Sequence, residues 1–235
     1  TRSVNGTVVL VEVATGREIT RIQHEAYVEE IIFSPDKRYL LTQSGSWDSD
    51  SSELILVQME TGREMARVQY NGYVTDAEFS PDGRYLAIAS KEDSTAVLVE
   101  VETGQEMTVI NDAALLVIEV STGREVPRLR HERGVWEVAF SPNGHYVAIA
   151  GADGAVVLEV ATGREITRIQ QVYVEEMIFS EEMIFSPDSR YLVTHSYTWG
   201  SGFSKVVLVE VATGREVKRI QYKGYVDVAF SPEGP

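Results

Sequence analysis

Residues 73–110 read YVTDAEF-SPDG-RYLAIAS-KEDST-AVLVEVE-TG-QEMTVI, and the hyphens mark where the pattern changes. Residues 73–79 predict a first strand. Ser80-Pro81-Asp82-Gly83 carries the signature of a type I turn, with Pro pre-set at the second position and Gly at the fourth. Residues 84–90 predict a second strand, and Lys91 to Thr95 a polar loop. Residues 96–102, rich in β-branched side chains, predict a third strand. Thr103-Gly104 is a tight turn, and 105–110 predict a fourth strand. Nowhere in the chain does a 3.6-residue apolar period run over a useful length, so no helix is expected.

Working outward, the same marks recur. A TGRE-like element places its Thr at Thr15, Thr61, Thr103, Thr122, Thr162 and Thr213, the third copy reading TGQE. An FSP element places its Phe at Phe33, Phe79, Phe140, Phe185 and Phe230. Most TGRE spacings are 40 to 51 residues, and the 18-residue step from Thr15 to Phe33 recurs from Thr61 to Phe79 and from Thr122 to Phe140. Such a unit cannot bury both faces of its sheet alone, and stacking units around an axis buries them. The expected fold is all-β: a β-propeller of four-stranded antiparallel blades, about six by count of third strands, one or two incomplete, closed by strands from both ends. The single domain spans 1–235, with repeats at about 1–23, 24–70, 71–110, 111–130 (partial), 131–170, 171–221 and 222–235 (partial).

Two irregularities stand out. Thr103 to Thr122 is only 19 residues, so the unit at 111–130 lacks its first and second strands. EEMIFS at 175–180 repeats at once at 181–186, and only the second copy continues into Pro187-Asp188. The first strand is therefore placed on the second copy, and the first copy is read as an enlarged loop. A shift of six residues preserves which side chains face inward.

The strings FSPDGRYLAIAS at 79–90 and LVEVATGRE at 208–216 resemble WD-repeat propellers, over nearly the whole chain. The resemblance is to a degenerate bacterial type, found at the C-terminal end of multidomain signalling proteins. Where the family ends its third strand with Trp-Asp, this chain has Val11-Glu12, Val57-Gln58, Val99-Glu100, Ile118-Glu119, Leu158-Glu159 and Val209-Glu210. The family's Gly-His pair is also absent, with His24-Glu25 and His131-Glu132 standing nearest to it. The buried hydrogen-bond network built on those pairs is therefore expected to be missing, leaving stability to apolar packing.

Composition narrows function. The 235 residues hold 36 Asp plus Glu against 21 Lys plus Arg, a net charge of −15, which argues against nucleic acid and anionic membrane as partners. With no Cys, there is no disulfide, thiolate metal site or Cys nucleophile. No apolar run reaches the length of a membrane-spanning helix. The start, TRSVNG, lacks Met and is no signal peptide, so a processed or excised piece of a larger cytoplasmic protein is expected, a periplasmic one less so. Phosphate-loop, G-x-S-x-G and H-E-x-x-H motifs are absent, so neither a cofactor nor a catalytic residue is assigned. His24, His131, His145 and His195 fall at unrelated points of different repeats, so no metal site is assigned either.

Tracing the chain puts the SPDG and TGR turns on one face, uniform and structural. The fourth-to-first and second-to-third loops lie on the other face, where variable sequence points to recognition. Trp47, Trp136, Trp199, Tyr27, Tyr73, Tyr173 and Tyr225 are assigned to that second face as candidate partner-binding residues. Each of the four tyrosines precedes the Val of a first strand. An acid stands three residues before every FSP Phe: Glu30, Asp76, Glu137, Glu182 and Asp227. First strands line the channel, so these carboxylates form a candidate ring that a cation, a basic partner segment or a nearby Arg or Lys would neutralise. Three functions follow. The first is a non-catalytic interaction or sensing scaffold, joined to an effector domain and binding a protein or peptide. The second is a structural or engineered, self-associating repeat protein. The third is a propeller hydrolase using the channel carboxylates.

Overall fold

The computed structural model describes residues 6–45, 51–90, 95–100, 116–119, 124–125, 135–151, 154–170, 178–198 and 202–231. All of its regular structure is β. Strands β1 (Thr7–Val11) and β2 (Glu18–Gln23) form a two-stranded sheet. Strands β3 (Val28–Phe33), β4 (Tyr39–Ser44), β5 (Ser51–Gln58) and β6 (Arg63–Asn71) form the first complete blade. The third sheet contains β7 (Val74–Phe79), β8 (Tyr85–Ser90), β9 (Thr95–Glu100), β10 (Leu116–Glu119) and β11 (Arg124–Glu125). Two more antiparallel blades follow: β12 (Val135–Phe140) to β15 (Glu165–Gln170), then β16 (Ile178–Phe185) to β19 (Arg215–Lys223). The middle strands of these two blades are β13 (Tyr146–Gly151), β14 (Gly154–Glu159), β17 (Tyr191–Thr198) and β18 (Phe203–Glu210).

The six third strands thus occupy five sheets. Without its own first two strands, β10 has no sheet to join except its neighbour's, and it pairs in parallel with β9. That satisfies backbone groups that would otherwise stand unpaired. The fourth strand expected at 105–110 lies outside the described residues. The second copy of the duplicated hexapeptide takes the expected first-strand register: Phe185 pairs with Leu192 as Phe140 pairs with Val147. The first copy is not the enlarged loop expected of it: residues 178–180 pair with β17 and lengthen the start of β16. Among the described residues β1 pairs only with β2, and Tyr225–Phe230 enters no ladder, so the pairing shows no closure through the two ends.

The turns explain the repeat. In SPDG-type turns the Ser hydroxyl donates to the Asp carboxylate and accepts the N–H of the residue that opens the second strand, as in Ser80–Asp82–Tyr85 (2.6 and 2.9 Å). The fourth position is left-handed at Lys37, Gly83, Gly144 and Ser189 (φ 61–70°). In TGR turns the Thr hydroxyl reaches back three residues: Thr61 to Gln58 at 2.8 Å, Thr213 to Glu210 at 2.8 Å, and Thr15 to Glu12. The residue in the place of the family's Asp therefore caps its own turn locally.

Blades stack through apolar faces. Val138 and Phe140 meet Ala87 and Ala89 of the preceding sheet in one cluster, and Met183 and Phe185 meet Ala148 and Ala150 in the next. Burying one such side chain contributes about 1.5–3 kcal/mol.

Candidate functional site

The inner strands of neighbouring sheets share no ladder, yet side chains bridge them. The Asp76 carboxylate accepts the N–H of Val138 at 2.9 Å, and Glu137 accepts that of Met183 at 3.3 Å. Two of the candidate ring carboxylates thus hold the following blade's backbone, a partner that sequence reasoning missed. It also missed Glu78, which accepts the Phe140 N–H at 2.8 Å. The available signal was an acid where the other first strands have Ile32, Ala139 and Ile184.

Burial is the main cause raising the Asp76, Glu78 and Glu137 carboxyl groups above their ordinary range. Glu78 and Glu137 reach about 7. Asp76, Glu182 and Glu78 add repulsion at Glu137, and burial followed by Asp76 raises Glu30. These acids therefore feel one another. Glu182 is half-buried on β16, and Asp227 is exposed in the C-terminal segment.

A buried polar network, expected to be missing, is present at the first interface. The two ring nitrogens of His24 stand 2.8 Å from Glu53 and 2.8 Å from the Thr42 hydroxyl. Arg67 and Gln69 donate to the other Glu53 oxygen at 2.8 and 2.9 Å. A loop-proximal Glu replaces the family's missing residues. Its identity could not be read from a repeat, because Glu53 lies near the start of a third strand that follows a loop of variable length. Burial lowers the pKa of His24 despite the opposing pull of Glu53.

The predicted aromatic cluster divides. Trp47, Trp199 and Tyr173 lie outside the described residues. Trp136 is half-buried at the bulge of β12, between Val135 and Glu137. Tyr27 is 66% exposed just before β3. Tyr73 is half-buried, and burial followed by the neighbouring Glu29 raises its hydroxyl pKa. Tyr225 departs from the expected equivalence. GYVDVAF at 224–230 is one residue shorter than GYVTDAEF at 72–79, so counting back from Phe puts Tyr225 in the place of Val74. Val74 and its counterpart Val135 are buried, whereas Tyr225 is 52% exposed. Its ring lies edge-on to His195 (5.4 Å, 74°) and Tyr197 (5.8 Å, 82°). Among the described residues no three His, Cys, Asp or Glu are grouped to hold a metal ion.

The family described as WD domain, G-beta repeat (WD40) matches residues 65–98 and 123–158. No curated protein matches the chain. Among solved structures, Hydrazine Synthase of Kuenenia stuttgartiensis aligns at TM-score 0.55 and 18% identity, over 87% of this chain and 52% of that one. A chain of the Mitotic Checkpoint Complex aligns at TM-score 0.58 and 15% identity, over 97% and 66%. A functionally unknown protein from Desulfotomaculum acetoxidans DSM 771 aligns at 0.57 and 14%, over 94% and 65%. This chain therefore spans about half to two thirds of the length of the structures it resembles. At these identities the likeness concerns fold. With the repeat matches and the four-stranded sheets, it makes the chain a WD-repeat-like β-propeller.

Proposed function

We propose that the chain is a non-catalytic scaffold that binds a protein or peptide on its loop face. The observation that carries this reading is the contrast between faces. The SPDG and TGR turns use their polar groups on themselves, while Tyr27 and Tyr225 stand exposed where the loop face begins. Aromatic side chains supply contact area at small entropic cost and anchor interfaces. The WD40 repeat match and the fold shared with a chain of the Mitotic Checkpoint Complex support the same reading. The finer form of the proposal is a recognition module of a larger bacterial signalling or defence protein, cytoplasmic and joined to an effector domain. Affinity capture with the tagged chain tests it. Tyr27→Ala with Tyr225→Ala, and separately Trp47→Ala with Trp199→Ala, are expected to lower recovery of a specific partner at least tenfold. Unchanged recovery by both pairs would count against this face.

A second reading, association with another copy, is favoured by Val9, Val11, Ile31 and Phe33, which are exposed apolar residues. Sedimentation across a hundredfold concentration range distinguishes it, since a species that stays monomeric throughout excludes it.

A further inference from the structure

Each sheet has a forward face, turned to the sheet after it, and a rear face, turned to the sheet before it. We infer that two copies of the chain dock head to tail, the forward face of β18–β19 in one copy packing on the rear face of β1–β2 in the other. The inference rests on the second reading above, association with another copy, and names the faces that meet.

The first ground is that the chain makes this contact twice within itself. Val8, Leu10 and Ile22, on the forward face of β1–β2, cluster with Ile55 and Val57 on the rear face of β5. Ala155, Val157 and Ile169, on the forward face of β14–β15, cluster with Val207 and Val209 on the rear face of β18. The places are identical: Val8, Ala155 and Val206 each stand seven residues before the Thr of a TGR turn. At both interfaces the rear-face residues Ile55, Val57, Val207 and Val209 are no more than 1% exposed. Each half of the contact then recurs once more in the open. Val9 and Val11 hold the places of Ile55 and Val57, yet are 39% and 44% exposed. Val206, Leu208 and Ile220 hold the places of Val8, Leu10 and Ile22, with Val206 opposite Ile220 as Val8 is opposite Ile22. They are only half-buried.

The second ground is independent of the apolar residues. A Cβ on Gly62 would lie 2.8 Å from both the Ile19 carbonyl oxygen and the Thr20 Cβ. On Gly214 it would lie 2.8 Å from the Ile166 carbonyl oxygen and the Thr167 Cβ. The glycine of a TGR turn therefore seats on the fourth strand of the preceding sheet, and its missing side chain is what lets the two backbones approach. Gly16 is the same turn residue in the β1–β2 sheet, and no described atom lies within 4 Å of its corresponding point. This second marker of the contact is open on the same face that leaves Val9 and Val11 exposed.

In this molecule a forward face is what covers a rear face, and the exposed forward face belongs to the same chain. The two faces are unlike, so the contact is heterologous. Copying the internal interface fixes its register: the Gly16 turn of one copy sits over β19 of the other. Lys218 is the one departure, standing where Thr20 and Thr167 receive a turn glycine. Its flexible chain can turn aside, though that holds an ammonium near apolar surface, so the contact is weaker than the internal ones.

Sedimentation velocity on the chain and three variants tests the docking. The rear variant carries Val9→Lys with Val11→Lys, and the forward variant carries Val206→Lys. Each alone is expected to associate about tenfold or more weakly than the parent, since every contact needs one face of each kind. Mixed, the two are expected to regain parental affinity but stop at a one-to-one pair, because each supplies the face the other lacks. Lys218→Thr, at an exposed position, is expected to tighten association about threefold and keeps the test open if Val206→Lys fails to fold. A parent that associates while the rear variant does so equally, a mixture that does not pair, or a Lys218→Thr chain no tighter than the parent would overturn the docking and leave the association reading standing. A parent that stays monomeric overturns both.

Discussion

Phe33 and Phe140 open the same FSP motif and close first strands of the same register, yet Phe33 is 53% exposed and Phe140 6%. The difference lies in what precedes them. Phe140 packs on Ala87 and Ala89 of the second strand before it. The unit before Phe33 is the two-stranded β1–β2 sheet. It covers Leu40, Ile55 and Val57 but leaves Ile31 and Phe33 exposed. The first interface relies partly on the His24–Glu53–Thr42 network, and the later ones on apolar faces plus carboxylates that hold the next backbone. A repeated residue therefore has no fixed energetic value. Its neighbour assigns it one.

Replacing the two phenylalanines is the largest test of that statement. Phe140→Ala is expected to destabilise by about 3–5 kcal/mol and Phe33→Ala by about 1 kcal/mol or less. Denaturant unfolding of both variants measures the gap, and equal losses would dissolve the comparison. The carboxylates sharpen it at intermediate size. Glu137 titrates at about 7 in the folded chain against an ordinary 4.5, mainly because it is buried. Its protonated form is the one that folding favours. Its contribution is complete below pH 4.5 and is lost as pH rises through about 7. Glu137→Gln removes that loss. The variant should match the parent near pH 4.5 and exceed it at pH 8 by roughly 1–3 kcal/mol, read as a melting-temperature difference at each pH. A difference that does not change with pH would refute the assignment. The smallest effect is expected at the fourth position of the SPDG turns, where Lys37 holds the left-handed conformation that Gly83 holds in the next blade. Lys37→Gly should stabilise by about 0.5–1 kcal/mol in the same unfolding measurement. The reverse change, Gly83→Lys, should destabilise by more, because a Cβ there would meet the Asp36 carboxyl group at 2.7 Å.

What could be read in advance follows from range. The strands and turns were legible because Ser80, Asp82 and Tyr85, or Gln58 and Thr61, interact within a few residues of one another. The register of the second hexapeptide copy was legible because it depends only on parity and on the turn that follows, whereas the pairing of residues 178–180 with a lengthened β17 carried no such mark. The partners of Asp76 and Glu137 were not legible, since they are backbone groups 46 to 62 residues away and carry no residue identity. Glu53 was hidden for a related reason: it does in one blade what a motif does in the family, and a single copy leaves no periodic mark. The displacement of Tyr225 was countable in the sequence, but the Tyr-Val dipeptide disguised it by preserving the local pattern one step out of phase.

The forward reach of Asp76 and Glu137, each to the inner strand that comes after it, gives the stack a direction, like roof tiles laid from one eave. A tile in such a roof is fastened by the one before and fastens the one behind. Adding or losing a whole unit breaks and remakes a single fastening of fixed kind, whereas a slip of one residue within a unit misaligns the fastenings on both sides. Chains built this way should vary in length by entire courses, with half-courses tolerated only where a neighbour, as β9 does for β10, offers a spare edge.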